Sequence, residues 1–199
     1  MTLAKFNPRT IILSFLILLL AAVRVVFSLS LKHSPLSNFS TMEAMALFGG
    51  AYFSNRAKAF LFPLLTLWLS DLILNRFLYY QQWRWLFEGF YWTYGAFVLM
   101  VIAGYLIIKK VNLKNIVLAS LAVMLIHWII TDLGFWLEGT LYPKTAAGWW
   151  TCLVAAIPFE MTLLAGTLLY SGIFFGVFEW MQRRYPLLKP VTHSSDSTR

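Results

Sequence analysis

Apolar residues in this chain come in long runs rather than in the alternation of a half-buried strand, and the polar residues collect between the runs. A helix needs about twenty such residues to cross a hydrocarbon core of ~30 Å. Six spans are predicted. The first begins with the uninterrupted run Ile11 to Ala22, continues through Arg24 and covers about 10–31. The second, about 41–54, is short for a full crossing, so tilt, shielding by its neighbours or a few loop residues must complete it. The others cover about 57–75, 87–108, 115–135 and 159–181. The expected fold class is an all-α integral membrane protein, a six-helix bundle forming one domain over 1–190, with a disordered polar tail at 191–199.

The segments between the runs fit this division. LKHSPLSN is turn-forming, and FLYYQQWRWLFEG places Tyr79, Tyr80, Trp83 and Trp85 where aromatic rings meet lipid headgroups. WLEGTLYPKTAAGWW carries the breakers Gly139 and Pro143, and the apolar piece Thr151 to Ile157 is stopped by Pro158. That piece is expected to be an interfacial or partly inserted helix leading into the sixth span. Ser28-Leu29-Ser30 looks like a small-x-small signal cleavage site, but Arg24 interrupts the apolar region before it, so the first helix is read as retained.

Composition agrees with the pattern: 60% of residues are hydrophobic, 18% aromatic and 12% charged, beyond the apolar share of a soluble domain. A net charge of +8 could suit nucleic acid, yet the charges fall at span borders, so no nucleic-acid partner is expected. Eleven of the sixteen Lys and Arg residues fall on one side: Lys5, Arg9, Arg56, Lys58, Lys109, Lys110, Lys114, Arg183, Arg184, Lys189 and Arg199. Lys32, Arg76, Arg84 and Lys144 fall on the other, and Arg24 lies within a span. The positive-inside rule then puts both termini in the cytoplasm. The single cysteine, Cys152, sits among apolar residues and reads as a buried, inert thiol.

Polar groups within the spans are the candidate chemistry. Arg24 falls ~21 Å along its helix at 1.5 Å per residue, and His127 falls ~20 Å along the fifth, both in the outer half. Asp132, Glu43, Asp71, Glu88 and Glu160 join them there, as do eight of the nine tryptophans, all but Trp180. Two readings are open: a ligand pocket facing outward, or an aromatic belt with helix-end polar groups meeting headgroups and water, which alone accounts for Glu43, Glu88 and the loop tryptophans. Arg24 suits a structural cation held by Asp71 or Glu43, or a ligand contact. His127, with Asp132, suits a ligand contact or a bond to a neighbouring helix. The small residues Ala46, Gly49 and Gly50 suit close helix packing.

Enzyme signatures are missing from the sequence. It has no HExxH, DDxxD, GxSxG or GxxxxGK, and no metal-spaced cluster, so neither a cofactor nor a metal is expected and energy must come from a partner or an ion gradient.

The stretches NFSTMEAMALFGGAYFSNRAKAFLFPLLTLWLSD and YPKTAAGWWTCLVAAIPFEMTLLAGTLLYSGIFFG resemble an uncharacterised family of bacterial six-helix proteins assigned to transport. That family in turn looks like the substrate-binding S subunits of energy-coupling factor transporters. The resemblance implies capture of a vitamin or similar micronutrient at the bacterial cytoplasmic membrane, with Asn38, Phe39, Trp92, His127, Asp132, Trp136 and Glu160 forming the pocket. It also implies docking on a transmembrane coupling subunit driven by two ATPases. S subunits often dock through Ala-x-x-x-Ala on the first helix, where this chain has Leu18, Ala22 and Val26, so docking is expected on another small face, Ala46 to Gly50. The competing expectations are an intramembrane enzyme using Asp71, Asp132 and His127 on a lipid-linked substrate, and a structural subunit of a membrane complex.

Overall fold

The computed structural model describes residues 8–30 and 39–189. Asn38 and the tail 191–199 lie outside them. The described chain is all-helical: α1 (Pro8–Ser30), α2 (Met42–Tyr52), α3 (Arg56–Leu74), α4 (Phe90–Ile107), α5 (Leu113–Glu138) and α6 (Ala146–Arg184). A π-helical turn, Asn75–Tyr79, prolongs α3, and a 3₁₀ turn, Pro186–Leu188, follows α6. Five helices, all but α2, are long and apolar enough to cross a membrane.

α2 departs from the six-span expectation. Its eleven residues rise ~16 Å, about half a hydrocarbon core. Every α2 residue except Ala51 is buried, so the other helices enclose it on all sides. A helix apolar all round belongs inside a protein, and this one is the core of the bundle. Its two ends lie at different depths. The Tyr52 carbonyl accepts from Arg9 at the start of α1, whereas the Thr41 hydroxyl just before α2 donates to the Leu20 carbonyl, halfway along α1. Residues 39–41 therefore enter the bundle as non-helical backbone, which at such depth is tolerated only where protein or a cavity surrounds it. The Ser40 carbonyl lies 3.0 Å from where a Cβ on Gly166 of α6 would stand.

Small residues make this insertion possible. A Cβ on Gly50 would fall 2.2 Å from the Val101 carbonyl oxygen of α4, and one on Gly49 would fall 2.2 Å from the Pro63 ring of α3. Ala46 is likewise sealed in. This corrects the docking expectation: the face Ala46 to Gly50 is fully used inside the bundle and offers nothing to a partner.

The segment 151–157 is helical and leads into the sixth span as expected, but Pro158 does not stop it. α6 runs unbroken through Pro158, which removes one backbone hydrogen bond but does not end the helix. Contacts with α5 hold the part before the proline: Trp128 Nε1 donates to the Leu153 carbonyl, Trp149 packs on Trp136, and Cys152 is buried. Those contacts offset a loss of about 3 kcal/mol for an interior proline.

The ends of the bundle differ in chemistry. At the end where α1 begins and α6 finishes, Phe48 and Tyr52 of α2 pack edge-on against Phe174, Phe175 and Phe178, with centroids 4.5–6.4 Å apart where the rings meet edge to face. Arg9 closes that end by donating to Gln182 Oε1 and to the Leu188 carbonyl. At the opposite end α2 has already stopped. The space it leaves is not filled by side chains.

Candidate functional site

A cavity of about 570 Å³ occupies the space beyond the α2 N-terminus, a volume in the range of small-molecule sites. All six helices reach it. Ser40, Met42 and Glu43 form its floor, and Tyr79, Tyr80 and Phe87 stand at the far end. Its wall includes Arg24 and Ser28 of α1, Asp71 of α3, Thr93 of α4, His127 of α5 and Leu163 of α6. The geometry follows from length: five long helices surround a short one, so the missing half of α2 becomes the pocket.

Two polar pairs, one of them the Arg24–Asp71 salt bridge, cross-link the wall. Arg24 Nη1 donates to Asp71 Oδ1 at 2.7 Å and to the Ser70 hydroxyl at 2.5 Å, and the Tyr94 hydroxyl donates to Asp71 Oδ2 at 2.9 Å. Three helices are pinned by one carboxylate. The second pair joins α5 to α6, where His127 Nδ1 lies 2.9 Å from Glu160 Oε1. His127 faces the cavity and Glu160 stands behind it, so the carboxylate fixes how the ring is presented.

Glu43 is different. It is 0% exposed and lines the cavity floor, yet among the described residues neither carboxylate oxygen has a hydrogen-bond partner. The belt reading does not hold for this residue, because a carboxylate meeting headgroups or water would be exposed. A buried polar group without a partner is costly, and such groups mark functional sites. One oxygen each of Asp132 and Glu160 is also buried without a partner.

The structure distributes the other candidates over several places. Trp92 lines a second, smaller cavity with Glu88 and Glu138 and donates from Nε1 to Glu138 Oε1 at 2.8 Å. Trp136 donates to the Pro143 carbonyl at 2.9 Å, in the connection between α5 and α6. Phe39 packs on Phe27 and Tyr170 at the entry to α2. Asp132 lies next to Cys152, whose Sγ is 4.0 Å from the Asp132 carbonyl. None of these four lines the main cavity. Conversely Ser40, Asn75 and Thr93 line it without having been singled out, since single small polar residues in apolar runs carry no periodic signal.

Residues 4–188 match a family of unknown function, DUF6580, and the chain belongs to that family. No curated protein and no solved structure matches the chain.

Proposed function

We propose that this member of the family is a membrane-embedded substrate-capture subunit, which takes up a small polar molecule at the end bearing Tyr79, Tyr80 and Phe87 and holds it among the helices. The carrying observation is the cavity whose floor and wall bring Arg24, Glu43, Asp71 and His127 together from four helices. Ionisable groups within spanning helices are expensive, and they ordinarily mark a ligand or ion pathway. The start of a half-length helix at that depth is also the device by which membrane transporters present polar groups to a substrate.

In this reading the chain is a multi-pass protein of the bacterial cytoplasmic membrane. Basic residues collect at the end where α1 begins and α6 finishes, which supports cytoplasmic termini and an outward-facing cavity. The resemblance to S subunits supports a vitamin or other micronutrient as cargo, and a coupling subunit with ATPases as partner. Binding is favoured over turnover because two of the three groups an acid–base mechanism would use are engaged, Asp71 by Arg24 and Tyr94 and His127 by Glu160, and the third, Asp132, does not line the cavity.

Native mass spectrometry of gently purified protein, with extraction of small molecules, tests the reading against a His127→Ala variant. A stoichiometric small molecule on the wild type, lost from the variant, is the expected result. Lipid alone on both would overturn capture and favour a polar cluster that only pins helices.

A further inference from the structure

Resting on the capture reading, we infer that the ligand is an organic cation, bound with a positively charged N–H donor group against Glu43 at the cavity floor and a flat body toward the aromatic end.

The argument is one of charge balance among groups that face the floor. Arg24 is engaged by Asp71 and Ser70, and His127 by Glu160. Asp132, further along α5 from His127, lies off the cavity and supplies no cation to it. Glu43 is left without a partner for either oxygen among the described residues. The N-terminus of α2 supplies some compensation, since Glu43 lies in its first turn, but a helix end is worth only about half a positive charge and frays with distance. An ionised Glu43 outweighs it, and the floor then carries a residual negative charge. A ligand ammonium or amidinium donates to carboxylate oxygens and cancels that charge at once. An anionic ligand would meet Glu43 with like charge, and a neutral one would leave it uncompensated away from water.

The far end suits the rest of such a molecule. Tyr79 and Phe87 line it, and Arg84 already lies 4.3 Å from the Tyr80 ring centroid, an arrangement in which a planar cation meets an aromatic face. The volume admits a ligand larger than a single ring.

Matched probes on the purified full chain in detergent decide the matter. Benzamidine and 2-phenylethylamine are compared with their neutral counterparts benzamide and 2-phenylethanol, and with the anion phenylacetate, by thermal unfolding followed through tryptophan fluorescence. The cations are expected to raise the melting temperature, by about 5 °C at a hundredfold excess over the dissociation constant, while the others do not. Glu43→Gln keeps the side-chain shape and removes the charge, and is expected to weaken cation binding about thirtyfold or more. The preference is read on the wild type, so the test survives a variant that fails to fold. Equal stabilisation by the neutral or anionic probes would overturn the cation inference and leave capture standing. If no probe stabilises the chain and only lipid co-purifies, both are overturned.

Discussion

Arg24 on α1 and Asp71 on α3 lie 2.7 Å apart with side chains 13% and 7% exposed, and the same aspartate accepts from Tyr94 on α4. One carboxylate thus sets the relative positions of three helices at the depth of the cavity wall.

Removing one partner of this pair strands the other in a poorly solvated place. Arg24→Ala and Asp71→Ala are each expected to destabilise by about 3 kcal/mol, and the double variant Arg24→Ala with Asp71→Ala by clearly less than the sum. Reversible unfolding in mixed micelles measures the cycle. Additive losses would mean that the pair is not coupled.

The close approach of α2 to α4 makes a sharp contrast with the surface of α6. Gly50→Ala places a methyl group against the Val101 carbonyl and is expected to cost about 1–3 kcal/mol. Gly172 and Gly176 have open space where a Cβ would stand within α6, so alanine there should leave stability unchanged or raise it by up to about 1 kcal/mol. Melting temperatures of the three variants check both halves of the statement.

Because Glu160 holds His127 from behind, the two should act as a unit in ligand binding. Glu160→Ala is expected to weaken binding of the co-purifying molecule nearly as much as His127→Ala, and the double variant little further. Titration of the extracted ligand onto stripped protein measures this. A full-strength Glu160→Ala would show that His127 is presented correctly without its partner.

Sidedness can be read with single cysteines, because the native Cys152 is buried. Leu141 and Leu187 are 69% and 78% exposed and lie beyond opposite ends of α6. In intact cells Leu141→Cys is expected to react with a membrane-impermeant maleimide, and Leu187→Cys only after permeabilisation. The reverse pattern would turn the cavity toward the cytoplasm.

Much of the helical order was legible because lipid-crossing length and apolar runs are properties of contiguous sequence. α1, α3, α4 and α5 fall close to the expected spans for that reason. α2 was legible as a short apolar segment rich in small residues, but its depth was not: whether eleven residues tilt across a bilayer or sit inside a bundle depends on what surrounds them. Pro158 misled because a breaker weighs against only local hydrogen bonding in a sequence, whereas contacts of Trp149, Cys152 and Leu153 with α5 hold the part of the helix before it.

The sequence by itself determined an all-helical chain, its strongly apolar character, and the collection of its ionisable groups toward one end. Only the tertiary structure decided which of those groups share a space. Arg24 with Asp71 and His127 with Glu160 are paired across 47 and 33 residues of chain. Glu43 became the distinctive residue of the site through burial rather than through any neighbour in sequence. The reason is geometric: a cavity arises where one helix is shorter than those around it, and that difference acquires a location only when the six helices pack.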